Sequence, residues 1–408
     1  MLRRRLSPLA VYLILAGGSS LFFSLVFTVD MIYYVTVVGM SPLQLVLVGT
    51  TLEATIFLFE IPTGLVADLK SRRLSVVVGY TLTGVAFLIE GSFPLFGTVV
   101  LAQVLWGLGY TFTSGATQAW IADEIGEERV GDAFLRAAQA GRIGGLAAIP
   151  LSIAVGSIDV RLPILTGGAL MLGLALFLTA AMTEEGFRPT PRAERTTWAM
   201  MGQTVVDARA LIGRQPVLLA LLGISLFYGL YSEGFDRLWT AHLLETFPAP
   251  FGGAVGPVVW IGGLRALQAL TGLAAVELVR RRLDVGRSAA LARALMAITG
   301  AIVVSLALFG LAPALWMAAA AFLVVSTLRA VGGPLHETWY NRRIDNPQVR
   351  ATLFSVTGQV DALGQIGGGP PVGAIGNASV RAALVVSAAL LAPVIPLYGV
   401  AMRREEEG

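Results

Sequence analysis

Cysteine is absent from this chain of 408 residues, so neither a disulfide bond nor thiol chemistry is available to it. The two histidines, His242 and His336, have no cysteine to join them, and no metal site is expected. The single lysine, Lys70, lies in a short hairpin. That leaves no Gly-Lys-Ser/Thr loop for nucleotide phosphates and excludes an ATP-driven pump. No Ser-His-Asp set is apparent either, so the sequence predicts neither an enzyme nor a bound cofactor.

Charged residues are also scarce. They make up 13% of the chain, against about 25% in a typical soluble domain. Hydrophobic residues make up 55%, and the mean hydropathy is +0.75. Runs of about 20 apolar residues suffice to cross a bilayer, and we count twelve, so the sequence predicts an all-α integral membrane protein with twelve transmembrane helices. The predicted helices lie at about residues 9–35, 43–67, 74–93, 97–122, 132–157, 162–182, 216–244, 255–279, 288–311, 313–340, 351–376 and 379–402.

The positive charges are distributed unevenly along the chain. Of the 29 lysines and arginines, 21 lie in the termini and in alternate loops. Positive loops are retained on the cytoplasmic side of a membrane, so both termini are predicted to be cytoplasmic. The first apolar run, from Val11 to Tyr34, is too long for a signal peptide and is interpreted as a retained helix. The orientation of the helices in the membrane accounts for this distribution of positive charge. No nucleic-acid partner is therefore predicted.

The two halves of the chain repeat each other. The stretch that begins at Gly64 recurs from Gly272, and Gln-x-x-x-Ile-Gly ending at Gly144 recurs as Gln-x-x-x-Leu-Gly ending at Gly364. The repeat predicts two pseudo-symmetric six-helix bundles, at residues 1–183 and 216–408. Between them, residues 184–215 are predicted to form a cytoplasmic linker, with a surface helix at about residues 196–212.

The hairpin between the second and third predicted helices carries the clearest motif. It reads Gly64-Leu-Val-Ala-Asp68-Leu-Lys-Ser-Arg72-Arg73. This resembles the signature Gly-x-x-x-Asp-x-x-Gly-Arg-Arg of the major facilitator superfamily, with Ser71 in place of the second glycine. The resemblance implies a monomeric transporter that moves a small molecule between two bundles by alternating access.

The same resemblance implies a conformational latch on the cytoplasmic face. Asp68 would meet the amides at the start of helix 11, where a carboxylate complements the helix dipole. Arg72 and Arg73 would pair with the acidic end of helix 4. The alternative is that the arginines only anchor the topology. The latch candidates are Gly64, Asp68, Arg72, Arg73, Asp123 and Glu124.

Several ionisable residues lie within the predicted helices. A charge at mid-membrane costs at least about 2.5 kcal/mol, so it is expected to be paired and to face the bundle interior. Such residues carry protons in some proteins and in others only form internal ion pairs, and the sequence leaves both readings open. The proton-coupling candidates are Glu53, Asp361, Asp30 and Arg142, and Arg265 lies at similar depth.

Helices 1, 4, 7 and 10 line the substrate cavity in the resembled family. An apolar, aromatic cavity with few polar groups suits a bulky amphipathic ligand, although many such side chains simply face lipid or pack helices. Asp236 and Arg237 are interpreted as a self-neutralising pair, and the alternative is that they only anchor their helix at the membrane interface. The cavity candidates are Phe23, Phe27, Tyr110, Tyr231, Glu233, Asp236, Arg329 and His336.

One segment resembles a narrower group. Residues 105–124 look like helix 4 of bacterial drug exporters near the macrolide and tetracycline exporters. Two features depart from that group: Gln103 stands where many such antiporters carry an arginine, and helix 5 lacks their Gly-Pro pattern. The prediction is proton-coupled export of amphipathic compounds across a bacterial cytoplasmic membrane. The alternatives are an uptake symporter, a transporter of lipid-type substrates, and a ligand sensor that transports nothing.

Overall fold

The computed structural model describes residues 6–189, 216–283, 288–343 and 347–406. All regular secondary structure in these ranges is helical. A bilayer offers no water to backbone N–H and C=O groups, and a helix satisfies them within one segment. The surface helix predicted at residues 196–212 lies outside the described residues.

Six helices of membrane length form the first half. Ser7 caps the first helix, since its side chain accepts a hydrogen bond from the Ala10 amide. Ser71 caps the third in the same way through the Leu74 amide at 2.9 Å, which gives this serine a role at the signature position where glycine is usual. The helices are α1 (Pro8–Phe27, continued by Asp30–Tyr33 and a π-helical turn Tyr34–Val38), α2 (Pro42–Leu69), α3 (Arg72–Ser92), α4 (Phe96–Thr113, continued by Ala116–Ile125), α5 (Glu127–Gly156) and α6 (Leu162–Ala181).

Six more helices form the second half. They are α7 (Pro216–Thr246), α8 (Pro257–Arg282), α9 (Ser288–Leu311), α10 (Leu315–Arg343), α11 (Pro347–Ala378) and α12 (Val380–Leu391, continued by Val394–Glu406). Within the described residues, eleven helices are long and apolar enough to cross a membrane. The remaining one, α11, has 32 residues, but glycine and polar side chains lower its hydropathy. The prediction of an all-α membrane protein with twelve membrane-length helices is confirmed.

The chain divides into two compact units. One comprises Met1–Gly39 and Thr51–Trp198, and the other comprises Met40–Thr50 and Ala199–Gly408, so the first turns of α2 group with the C-terminal unit. In the N-terminal unit, α1 packs on α5 and α6, and α3 packs on α4 and α6. In the C-terminal unit, α7 packs on α11 and α12, and α9 packs on α10 and α12. Each helix pairing of the N-terminal unit therefore recurs in the C-terminal unit between the helices whose numbers are six higher. The predicted boundaries at residues 183 and 216 stay a prediction.

The repeated glycines hold equivalent helix pairs together. A Cβ atom built on Gly144 in α5 would lie 2.2 Å from the carbonyl oxygen of Gly17 in α1. A Cβ built on Gly364 in α11 would lie 2.5 Å from the carbonyl oxygen of Leu226 in α7. At both places backbone meets backbone, which is how small residues let membrane helices approach closely.

We therefore expect Gly144→Ala and Gly364→Ala each to lower stability by roughly 1–3 kcal/mol, the usual cost of overpacking. The measurement is thermal unfolding of the purified protein in detergent. Gly173→Ala is the matched control, because a Cβ there meets no described atom within 4 Å. Equal melting temperatures for all three variants would contradict this account of the helix pairs.

Candidate functional site

In the N-terminal unit, the two arginines of the signature hairpin bind different partners. The Arg72 guanidinium forms an ion pair with Asp123 and donates to the Ala119 carbonyl oxygen at 2.8 Å, so it holds the end of α4. The Arg73 guanidinium instead donates to the Thr179 carbonyl oxygen near the end of α6. The hairpin is thus tied to two helices of its own unit.

The other latch candidates lie around this hairpin. The Glu124 carboxylate accepts hydrogen bonds from the backbone N–H groups of Glu185 and Gly186 at 2.7 and 2.9 Å, and so binds the segment that follows α6. Asp68 is half-buried near the end of α2. A Cβ on Gly64 would meet no described atom within 4 Å. The role of these residues as a latch stays a prediction.

Aromatic side chains form a cluster inside the N-terminal unit. Phe27 lies 5.1 Å from Trp106 and 6.1 Å from Phe87 between ring centroids, and Phe23 stacks on Phe27 at 5.5 Å. Phe87 is buried, whereas Phe23 and Phe27 remain partly accessible. Tyr110, on α4, is 47% exposed. The predicted cavity residues Phe23 and Phe27 therefore border the core of this unit.

Glu90 on α3 is a buried acid, 1% exposed, that the sequence did not single out. Its Oε1 accepts a hydrogen bond from the Tyr34 hydroxyl at 2.8 Å, and its Oε2 accepts one from the Gln103 amide at 3.3 Å. Tyr34 begins the π-helical turn of α1, and such turns are frequent at functional sites. Glu90 escaped notice because it stands two residues before the end of α3, where a carboxylate is expected to meet water. Gln103, flagged for its departure from the exporters, was the available signal.

The sequence-predicted proton-coupling residues of this unit have varied surroundings. Asp30 is 8% exposed and follows the break in α1, where its Oδ1 accepts a hydrogen bond from the Met31 amide at 2.7 Å. Glu53, on α2, is half-buried and close enough to Tyr110 to interact with it electrostatically. Arg142 is exposed on α5.

The C-terminal unit contains a cavity of about 550 Å³ lined by α7, α9, α10 and α11. It brings together five residues that the sequence singled out: Tyr231, Asp236, Arg329, His336 and Asp361. Its lining includes both polar and aromatic side chains, so it can hold a ligand that has both a polar and an apolar part.

An ion pair crosses this unit from α7 to α10. Asp236 and Arg329 bind each other through both carboxylate oxygens, and the second contact measures 2.8 Å. The Arg329 guanidinium also lies over the rings of Tyr231 and Phe235, at 5.7 and 5.3 Å from their centroids. Charge pairing, hydrogen bonding and aromatic contact together fix this arginine in place.

The sequence interpretation of Asp236 and Arg237 as a self-neutralising pair is wrong. Arg237 instead binds Glu233, one turn earlier, at 3.3 Å. On a helix, residues four apart share a face and adjacent residues do not. Glu233 is 3% exposed and lies against Gly49 in the first turns of α2. A Cβ atom built on Gly49 would lie 1.9 Å from the Oε2 atom of Glu233.

His336 lies among aromatic rings in the wall of the cavity. Its ring centroid is 4.3 Å from that of Tyr340 and 5.4 Å from that of Tyr228. Its Nε2 atom is buried and has no hydrogen-bond partner among the described residues. On the opposite wall, the Asp361 carboxyl accepts a hydrogen bond from the Gln365 amide at 2.8 Å.

A second cavity, of about 370 Å³, adjoins the same ion pair on the side of α8. Asp236 and Arg329 belong to the walls of both cavities, and Arg265, Gln268 and Ser326 line only the second. The Arg265 guanidinium lies 5.1 Å from the Trp239 ring centroid.

The chain is similar to known membrane transporters along most of its length. It is 24% identical over 361 residues to an uncharacterised MFS-type transporter, YxaM, of Bacillus subtilis strain 168, with 86% of each chain covered. Its structure superposes on a crystal structure of the nucleoside transporter NupG with a TM-score of 0.77 and 14% identity, covering 97% of this chain and 99% of NupG. The chain has the major facilitator fold.

A bacterial homologue of the human lysosomal transporter Spinster, in an inward-facing and unoccupied conformation, shares this fold. The TM-score is 0.70 at 15% identity, with 97% and 96% of the two chains covered. No protein-family model matches the chain. The predicted resemblance to drug exporters within the major facilitator superfamily stays a prediction.

In this major facilitator fold, we expect Asp236→Asn to lower stability by about 1.5–3 kcal/mol, the contribution of hydrogen bonds to a charged group. Arg329 would then keep its charge without a matching carboxylate. Combining Asp236→Asn with Arg329→Gln should recover part of the loss, because residues in contact are coupled. Thermal unfolding of the two single variants and the double variant measures the coupling.

Asp132→Asn is the matched control, because Asp132 pairs with Arg136 at an exposed site where both side chains are more than half accessible. Asp132→Asn should lower the free energy of unfolding by only about 0.3–0.5 kcal/mol. Strictly additive effects of Asp236→Asn and Arg329→Gln would show that the two side chains do not stabilise each other.

Proposed function

We propose that this protein is a secondary transporter that exports amphipathic small molecules across a bacterial cytoplasmic membrane in exchange for protons. The cavity of the C-terminal unit carries this proposal. It combines aromatic walls with ionisable groups from three helices, and it lies in a fold shared with proteins that are described as transporters. Neither an enzyme activity nor a cofactor is part of the proposal.

The depth of the ionisable groups supports a transport role. At 1.5 Å per residue, Asp236 lies about 15 Å from the end of α7 at Thr246, and Arg329 lies about 21 Å from the start of α10 at Leu315. The hydrocarbon core is about 30 Å thick, so both groups lie well inside it. Ionisable residues there are costly and mark substrate or proton pathways.

The carboxyl groups of the cavity differ in their partners. Arg329 forms an ion pair with Asp236 and acts on Asp361 only through space, whereas the Asp361 carboxyl accepts its hydrogen bond from the neutral amide of Gln365. A carboxylate in an apolar environment is stabilised by a matching charge or by taking up a proton. Asp361 is therefore the strongest proton-carrying candidate of this unit. Glu90, which accepts hydrogen bonds from Tyr34 and Gln103, is a buried carboxyl of the N-terminal unit that can be tested in the same way.

Transport is tested with the full chain in proteoliposomes loaded in turn with fluorescein, tetramethylrhodamine and their methyl esters. Export coupled to inward proton movement predicts dye movement that depends on the pH gradient and runs opposite to the protons. Movement in the same direction as the protons would identify a symporter. Binding of dye without any movement would identify a sensor and overturn the proposal.

We expect Asp361→Asn to abolish transport driven by a pH gradient while leaving exchange of labelled for unlabelled substrate, since an amide binds no proton in this range. Glu53→Gln and Glu90→Gln test the N-terminal unit in the same way. Glu128→Gln, at an exposed position at the start of α5, is the control. Undiminished gradient-driven transport in all three variants would remove these residues as proton carriers.

A further inference from the structure

The charges that line the cavity of about 550 Å³ do not balance. Among the described residues of its wall, three carry carboxyl groups, namely Asp236, Glu337 and Asp361, and Arg329 carries a guanidinium group. When Asp361 holds a proton, the pair of Asp236 with Arg329 is neutral and one carboxylate is still unmatched. In a low-dielectric environment such an excess attracts a cation much more strongly than it would in water.

Glu337 is the carboxylate that this wall leaves unmatched. Arg329 forms the ion pair with Asp236 and also acts on Asp361 through space. The Gln365 amide donates a hydrogen bond to Asp361 as well, at 2.8 Å. Glu337 is exposed on α10, and no described residue forms an ion pair or a hydrogen bond with its carboxylate. A ligand in the cavity can therefore contact this carboxylate directly.

Accessible aromatic rings lie in the same wall. Tyr228 on α7 and Phe354 on α11 line the cavity, and both are partly exposed. The Phe354 ring centroid lies 6.1 Å from that of Tyr340, which comes one helical turn after Glu337 on α10. The negative face of an aromatic ring attracts an ammonium-type cation. The wall therefore combines a carboxylate with aromatic faces, and this combination suits an organic cation.

The position of Glu337 along α10 fits a substrate that arrives from the cytoplasm. At 1.5 Å per residue, Glu337 lies about 12 Å beyond Arg329 and about 9 Å before the end of the helix at Arg343. The charge pattern of the sequence predicts that this end of α10 is cytoplasmic. An exported cation would therefore meet Glu337 before it reaches the deeper Asp236–Arg329 pair.

We propose that this cavity binds an organic cation with an aromatic or apolar body, with Glu337 as the matching carboxylate and with Tyr228 and Phe354 as aromatic contacts. Asp361, which already has an amide partner and the nearby charge of Arg329, remains the group that takes up the proton. Substrate and proton therefore bind different carboxyl groups of one cavity. This inference rests on the proposed transport function and names its substrate class.

The test uses three probes of similar shape and different charge on the full chain in detergent. N-Methyl-4-phenylpyridinium is a cation, 4-phenylpyridine is neutral at mildly alkaline pH, and 4-phenylbenzoate is an anion. Binding is measured as the protein that survives heating, by gel filtration, since a ligand stabilises the state it binds. The cation should bind most tightly and the anion most weakly. The neutral probe should bind about three- to tenfold more weakly than the cation, as one exposed ion pair and one cation–π contact predict.

Substitution of the glutamate identifies the charge that is recognised. Glu337→Gln should abolish the preference for the cation, and Glu337→Asp should keep part of it because the charge remains. Glu245→Gln is the matched control, since Glu245 is an exposed residue of α7 outside the cavity lining. Equal binding of the three probes, tightest binding of the anion, no binding of the cation, or an unchanged preference in Glu337→Gln would overturn the proposal.

Two further substitutions test whether the cation lies inside the cavity. Phe354→Leu keeps an apolar side chain but removes the ring, so it should weaken binding of the cation about two- to fivefold relative to the neutral probe. Gly358 lines the cavity, and a Cβ there would meet no described atom within 4 Å. Gly358→Leu should therefore fold and should weaken both probes by filling the space. Unchanged binding of the cation in both variants would overturn the proposal.

A lipid head group could supply a similar ammonium group, so short-chain phosphatidylcholine forms a separate arm. Stabilisation by that lipid alone, lost in Glu337→Gln, would make this a lipid site and overturn the substrate proposal.

The two proposals also fail separately. Among the dyes of the proteoliposome assay, tetramethylrhodamine methyl ester is a cation and fluorescein is an anion. Movement of fluorescein in preference to that ester would leave transport standing and remove the cation site. Glu337-dependent binding of the cationic probe without any dye movement would do the reverse.

Discussion

A bilayer offers buried charges no water, and this constraint organises the C-terminal unit. Each ionisable group inside it needs a charge, a hydrogen bond or an aromatic face supplied by the protein. Asp236 and Arg329 form an ion pair, and Glu233 and Arg237 form another along α7. The Arg265 guanidinium lies over the Trp239 ring. These contacts join α7 to α8 and α10, and they leave two cavities on either side of one ion pair.

Close helix packing is the second constraint, because hydrophobicity drives no association between helices that lipid already surrounds. The backbone contacts at Gly144 and Gly364 bring α5 against α1 and α11 against α7. Equivalent glycines thus hold equivalent helix pairs in the two units. A few glycines at equivalent positions are enough to preserve the same helix pairs. The two units can therefore share one arrangement of helices although their sequences are only weakly similar.

The number, type and approximate ends of the helices were predictable from the sequence, since hydropathy and length govern them directly. The contact of Arg72 with Asp123 also followed from the resemblance to a known hairpin. Partners between distant helices were harder to predict. Asp236 was matched with its neighbour Arg237, although its partner lies 93 residues away on α10. Glu90 stands two residues before the end of α3, and nothing in its local sequence shows that Tyr34 and Gln103 enclose it. Both features arise from tertiary packing, which hydropathy does not record.

The distribution of matched and unmatched charge separates two tasks within the C-terminal unit. Asp236 carries a charge that Arg329 balances, so it has little to gain by binding a proton. Asp361 has an amide as its partner and gains from neutralisation in a medium of low dielectric. A proton taken up at Asp361 would therefore leave the Asp236–Arg329 ion pair intact. Loss of the Asp361 charge would make the cavity easier to desolvate, which is an energetic requirement for closing it around a solute inside lipid.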